Sequence, residues 1–334
     1  MTPVPHSRPW VTAEDRAAVD AALQSGALAT GERVARFEAA LGGNGAPPGV
    51  ATDSGTAALR LALHALGVGP GDEVVLPTYV CFSVASAVQA LGARPVPADV
   101  GEDWLMGPAE AAARLTPRTR AVVAVDVFGL RSPVEALAAL GPPVIVDACQ
   151  ALVPWAPWAG AAARVYSFHA TKCLTTGEGG FVASPDAGLL DRARAARDAG
   201  KGGRLSDLAA ALGLSQLGRY PDFLARRRAF AERLLVALPA ALTARFVAAP
   251  RGECVFRFPL SAPGLAARTP VTGDLHGVCL RRGVDALVHR SLGLPDADFP
   301  RACARFADTV SVPLHPSLSD DELDRVIEVA RALR

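Results

Sequence analysis

The sequence predicts an α/β fold in two parts: a large domain over residues 1–225 around a mostly parallel sheet, and a smaller α+β domain over 226–334. Three observations carry this. Short, wholly apolar runs such as Val74–Leu76, Ala121–Val125 and Val144–Val146 alternate with helical stretches, the pattern of strands buried on both faces. From about Asp186 the pattern turns helical. Beyond Pro239 the alternation weakens and mixes the two periods.

Thr12 precedes a helix running to about Ser25, with Glu14 and Asp15 in its first turn and Gly26 past its end. Residues 34–41 make a short helix. Ser54-Gly55-Thr56 opens a strongly helical run, AALRLALHALG. Val74–Leu76 is a buried strand ended by Pro77, Val80–Leu91 a helix stopped by Gly92, and Ala93–Pro97 a further strand. Ala121–Val125 and Val144–Val146 are strands separated by a helix near Ser132–Leu140. Val165–Phe168 and Phe181–Ala183 are two more. Helices follow at 186–199, 204–218 and 221–238, then a strand at 252–260, a helix at 271–282 and a terminal helix at 320–333.

Composition narrows the function. The 334 residues are 50% hydrophobic and 20% charged, enough to bury a core and too apolar for disorder. Net charge is +1 and arginine is scattered, so the basic stripe of a nucleic-acid binder is missing. Six cysteines, at 81, 149, 173, 254, 279 and 303, form neither a CxxC pair nor a zinc spacing and read as reduced thiols. The N-terminal MTPVPHSRPW has no apolar signal segment, so a cytoplasmic location is expected. Val74–Ala93 carries no charge, but Pro77, Thr78, Ser83, Ser86 and Gln89 make it a strand, turn and helix rather than a membrane span. Gly67, Gly69 and Gly71 follow a helix, not a strand, which excludes a dinucleotide fingerprint; no P-loop or zinc-protease motif occurs.

Only two of the 34 basic side chains are lysines, Lys172 and Lys201, so any amine chemistry has two candidates. Lys172 lies where an apolar strand, Val165–Phe168, runs into a polar loop that Gly177, Gly179 and Gly180 turn back. It is either a surface-loop lysine or an amine made nucleophilic by desolvation. Asp147 follows the strand Val144–Val146, at the sheet edge where α/β proteins bind ligands; it either caps the next turn or meets a ligand. An amine and an acid at one edge fit pyridoxal phosphate. Lysine forms the Schiff base, and the carboxylate keeps the pyridine nitrogen protonated. Ser54-Gly55-Thr56 at a helix N-terminus suits the phosphate while also capping the helix, and Ser167 adds a hydroxyl.

In this order the residues resemble the DegT-type aminotransferases. SGTAALRLALHALGVGPGDEVVLPTYV, DACQA, SFHATKCLTTGEGG, LSDLAAALGLSQLGRY and SVPLHPSLSDDEL are similar to that family's successive motifs, from Pro5 almost to the C-terminus. The resemblance implies a three-layer fold-type-I pyridoxal-phosphate transferase that dimerises, each site completed by the neighbouring subunit. It implies an amino donor, glutamate or glutamine, and a small-molecule acceptor, commonly a keto sugar on a nucleotide. It makes Lys172 the Schiff-base lysine and proton shuttle, and Asp147 the pyridinium partner. Ser54, Gly55, Thr56 and Ser167 become phosphate ligands, with Gln150 near the ring or its 3-hydroxyl. His169 serves in catalysis or in orienting the lysine loop.

Three departures stand against the family pattern. The position of the ring-stacking aromatic falls on Cys81, with Phe82 beside it. Gly202 stands where an Asn reaches the partner's cofactor phosphate, leaving Lys201 or Arg204 as substitutes. The stretch 198–204 and the C-terminal domain are short, which keeps open a small non-sugar ketone or amino acid as substrate, or a regulator that has kept only the fold. His6, Arg8, Trp10, Thr30, His289 and His315 are placed either on the substrate side or in structural roles.

Overall fold

A computed structural model describes residues 2–43, 46–154, 156–249, 251–252, 254–271 and 274–333. Its main sheet has seven strands: β1 (Gly49–Thr52), β2 (Glu73–Pro77), β3 (Arg94–Ala98), β4 (Thr119–Val125), β5 (Val144–Asp147), β6 (Ala163–Ser167) and β7 (Gly180–Ala183). Their order is β1-β7-β6-β5-β4-β2-β3. β3, β2, β4, β5 and β6 run parallel, and β7 is antiparallel to both neighbours, β6 and β1. The mostly parallel sheet is therefore present. β3 carries Pro95 and Pro97 and is an edge strand, where a missing N–H is tolerated.

The first eight helices are α1 (Ala13–Ser25), α2 (Glu32–Leu41), α3 (Gly55–Ala65), α4 (Ser83–Gln89), α5 (Pro108–Ala112), α6 (Val134–Ala138), α7 (Ala187–Ala196) and α8 (Asp207–Gly218). Alternate strand residues face opposite layers. Ile145 and Val165 pack under α3, α4 and α7, with Leu61, Val88 and Leu189 above them. Val146, Tyr166 and Phe181 pack on the other side against Phe37 of α2 and Ala210 of α8. This is the helix–sheet–helix layering that the resemblance implies. The uncharged run Val74–Ala93 folds as β2 and α4, and among the described residues no helix is long and apolar enough to cross a membrane.

The chain continues through α9 (Tyr220–Ala237) and α10 (Ala240–Ala248) to β8 (Phe258–Ser261) and α11 (Leu265–Arg268). β9 (Asp274–Leu275), β10 (Val278–Cys279), β11 (Arg281–Arg282), α12 (Val288–Ser291), α13 (Pro300–Asp308), β12 (Thr309–Val312) and α14 (Asp320–Ala332) complete it. β11, β12 and β8 form a small antiparallel sheet.

Two expectations fail here. The helix at 271–282 is absent: β9, β10 and β11 occupy its described part, with residues 272–273 outside it. Val271, Leu275 and Val278 have helical spacing, but Val278 and Leu280 are buried while Arg281 is exposed, which is strand alternation. The strand at 252–260 contracts to β8, and residue 253 lies outside the described residues. The chain ahead of β8 bonds instead to the turn after β4, with Gly252 N–H donating to Gly129 O at 3.1 Å and Phe256 N–H to Phe128 O at 3.1 Å. Gly129, at φ +88°, is required there, because a Cβ would collide with the Cys254 carbonyl oxygen.

Candidate active site

Adjacent parallel strands bring their C-terminal ends to one edge, so Asp147 at the end of β5 lies in register with Val165 of β6. Asp147 is buried. Its Oδ1 accepts the Cys149 N–H at 3.0 Å, and the Cys149 thiol also bonds to the carboxylate. Beyond β6 the chain turns tightly, Lys172 N–H donating to His169 O at 2.8 Å. The Lys172 side chain is half-buried, its amine 5.2 Å from the centre of the Phe256 ring and without a hydrogen bond among the described residues.

Ser54 caps α3, its Oγ accepting the Ala57 N–H at 3.2 Å and donating to Asp53 Oδ1 at 3.1 Å. A Cβ on Gly55 would lie 2.8 Å from Ser167 Cβ and 3.0 Å from Cys149 Sγ. Only glycine lets the helix N-terminus approach the end of β6 this closely. The Thr56 hydroxyl has no partner among the described residues. Ser167 Oγ accepts the His169 N–H at 3.3 Å. His169 is tied through Nδ1 to Thr171 Oγ1 at 2.9 Å and faces Glu178 Oε1 through Nε2 at 3.5 Å.

These groups line one cavity of about 270 Å3, in which Ser54, Gly55, Thr56, Cys81, Asp147, Ser167, His169 and Lys172 meet. Two expected members stay out. Gln150 Oε1 is occupied by the Phe128 N–H at 2.8 Å, because the residue after a strand end points by tertiary packing and not by sequence order. Phe82 is exposed at the start of α4 and does not line the cavity. Cys81 does, with its Sγ 2.8 Å from Ser83 Oγ, and no aromatic side chain of the described residues shares the wall. Cys149, Ser83, Thr171 and Glu178 also line it and were not singled out in the sequence. The two-residue step from Asp147 to Cys149 was the available signal. Burial, and then the Asp147 carboxylate, push the Cys149 thiol pKa well up, so it stays protonated.

Gly202 and Gly203 press on the turn before α3. A Cβ on Gly202 would sit 2.8 Å from Leu61, and Asp53 N–H donates to Gly203 O at 3.2 Å. Lys201 lies at 3.4 Å from His64 Nε2, about two and a half turns along α3 from Gly55. Arg204 turns to Asp198, donating to its backbone oxygen at 3.0 Å. None of His6, Arg8, Trp10, Thr30, His289 and His315 lines the cavity. Thr30 bonds to Leu205 O at 2.7 Å, and His289 is held by Thr78 Oγ1 at 2.7 Å and Asp296 at 3.0 Å.

The donor set suits pyridoxal phosphate. A helix N-terminus with three hydroxyls would suit an anion, a buried carboxylate would suit a ring N–H, and an amine without a hydrogen bond among the described residues lies in the same cavity. Residues 9–331 match the profile of the DegT/DnrJ/EryC1/StrS aminotransferase family. The chain belongs to this family. It is 33% identical over 375 aligned residues to the spore coat polysaccharide biosynthesis protein SpsC of Bacillus subtilis strain 168, across 98% of this chain and 96% of that protein. Its structure resembles DesV of S. venezuelae, with a TM-score of 0.84 and 29% identity over 96% of this chain and 94% of that one. It also resembles DesI, crystallised with its TDP-sugar product, with a TM-score of 0.86 and 27% identity over 99% and 92% of the two chains. This DegT-family member is an enzyme, a pyridoxal-phosphate-dependent aminotransferase that takes an amino donor and a small-molecule acceptor.

Proposed function

We propose that the enzyme moves an amino group from glutamate or glutamine to the carbonyl of a nucleotide-linked keto sugar. In this reading it works as a cytoplasmic homodimer, each protomer divided into a large domain to about residue 225 and a small one after it. The carrying observation is the single lysine in the cavity, Lys172, sharing it with Asp147 and the N-terminus of α3. The polysaccharide role in SpsC's name and the TDP-sugar in the DesI crystal support the acceptor class.

When bound, pyridoxal phosphate supplies the carbon that takes up the amino group and a ring that draws electrons from the carbon losing its proton. Lys172 would hold it, and the same amine, without a hydrogen bond among the described residues, would carry the proton. Asp147 would offer its carboxylate to the ring N–H, while Cys149 fixes the carboxylate's orientation. Ser54, Thr56, Ser167 and the first N–H groups of α3 hold the phosphate, and His169, tied to Thr171, orients the lysine turn.

Adding pyridoxal phosphate to the protein should produce a visible Schiff-base absorption band that Lys172→Ala abolishes together with turnover. A variant that keeps both would refute the assignment. The modest cavity favours a second reading, a small ketone without a nucleotide. Activity confined to nucleotide sugars in a screen of ketone acceptors excludes it.

A further inference from the structure

The six cysteines are all free, and among the described residues only two bring their sulfurs together. Cys173 and Cys254, 81 residues apart and both buried, lie with their Sγ atoms 2.9 Å from one another. A disulfide needs about 2.05 Å, so the two sulfurs are within roughly 1 Å of a bond. Each belongs to a segment that bears on the lysine. Cys173 follows Lys172 in the turn after β6. Cys254 lies in the chain ahead of β8, two residues before Phe256, whose ring centre is 5.2 Å from the Lys172 amine. The backbone bonds from Gly252 to Gly129 and from Phe256 to Phe128 pin that chain on either side of Cys254.

Neither sulfur belongs to the cofactor cavity. Cys254 lines a second cavity instead, of about 250 Å3, together with Val146, Arg164 and Tyr166 on the other face of the sheet. That cavity gives a small neutral oxidant a way to a sulfur that is 1% exposed at the surface. The Cys254 thiol donates to Cys173 and draws its pKa below the usual thiol range; burial opposes this, and the charges of Arg227 and Lys172 act with Cys254. The thiolate is the form of cysteine that oxidants attack.

We propose that Cys173 and Cys254 are a redox modification site: hydrogen peroxide joins them in a reversible disulfide, and this bond lowers turnover by tying the Lys172 turn to the Phe256 segment. One sulfur takes an oxygen atom from the peroxide, becoming a sulfenic acid as water leaves. The other sulfur displaces that hydroxyl as a second water. Two thiols and one H2O2 thus become one disulfide and two waters, and a dithiol reductant reverses the change. The proposed reaction needs the Lys172 amine to move, and the bond restrains the residue beside it. The disulfide itself is independent of the aminotransferase reading; its effect on turnover rests on that reading.

The holoenzyme is treated with hydrogen peroxide, the excess is removed with catalase, and one portion is then reduced with dithiothreitol. After the remaining thiols are alkylated, peptide mass mapping without reductant should find Cys173 joined to Cys254. Turnover should fall at least about 10-fold and return with dithiothreitol. Cys173→Ser and Cys254→Ser should each form no such link and keep most of their turnover through the same treatment. If one variant fails to fold the other decides, and the wild-type map needs neither. Absence of the Cys173–Cys254 link, or a link that leaves turnover unchanged, overturns the proposal. So does an equal loss of turnover in the variants, which would place the damage at another residue such as Cys81. A reduced wild type that shows no half-reaction with an amino donor overturns the aminotransferase reading instead, and the peptide map still reads the disulfide.

Discussion

At the sheet edge the Lys172 amine has no hydrogen bond among the described residues; where the N-terminal segment meets the small sheet, His6, Arg8 and His315 are all engaged. Arg8 reaches both oxygens of Glu322, at 3.0 and 2.6 Å, and the Ser317 carbonyl at 2.6 Å. His315 Nε2 donates to Pro5 O at 3.1 Å, and His6 Nε2 meets Ser311 Oγ at 2.9 Å. Backbone bonds complete this clasp, Val4 N–H donating to Gly277 O at 2.8 Å and Cys279 N–H to Val4 O at 2.9 Å. Residue type does not separate the two regions, since both hold cations, acids and hydroxyls. The bonded groups of the clasp hold the chain together, whereas the Lys172 amine is left to meet what enters the cavity.

The sharpest way to break that contrast is Lys172→Ala, which should lower transamination at least about 10³-fold and remove the absorption band while leaving the melting temperature of the apoprotein near wild type. Asp147→Ala should follow, with turnover down about 100-fold and weaker cofactor retention, measured by dialysis and absorbance. Its melting temperature should change little, because among the described residues its carboxylate bonds only to Cys149.

The clasp should behave in the opposite way, losing stability and keeping chemistry. Burial holds the His315 pKa down to about 4. A folded pKa below the unfolded value near 6.5 means stability is fully present above 6.5 and is lost as pH falls toward 4, by up to about 3 kcal/mol. Thermal unfolding across that window should show the loss, and His315→Gln should flatten it. His6 has its pKa lowered by burial and then by Arg257 and Arg281, and contributes in the same direction. The smallest effect is expected of Arg8→Ala, about 1 kcal/mol, because the Arg8–Glu322 pair is partly exposed. The Arg8 hydrogen bond holds the Glu322 pKa below the usual carboxylate range, so this contribution is present above that range and lost as pH falls below it. A tenfold drop in turnover from Arg8→Ala would erase the contrast between the regions.

Legibility in the sequence followed burial. β2, β4, β5 and β6 are covered on both faces and read as apolar runs, so Asp147 and Lys172 could be placed just beyond them. Gln150 and Phe82 could not, because side-chain direction past a strand end is set by what packs there, such as the Phe128 N–H that takes Gln150. The 271–282 segment misled because its apolar spacing satisfies a helix as well as a strand. Besides the β9–β10 pairing, its partners Val4 and β12 are remote in sequence.

The pairing of β1 with β7 has a consequence for how the enzyme is made. Thr52, the last residue of β1, lies opposite Gly180, and a Cβ there would lie 2.2 Å from the Ser54 oxygen. The turn proposed to hold the phosphate therefore hangs from a strand with no sheet neighbour until the ribosome has delivered residues 180–183, and Gly203 closes over it only later still. A nascent chain stalled before β7 would already carry Lys172 and Asp147 yet lack the phosphate grip. Cofactor binding through that turn would thus await translation of more than half of the protein.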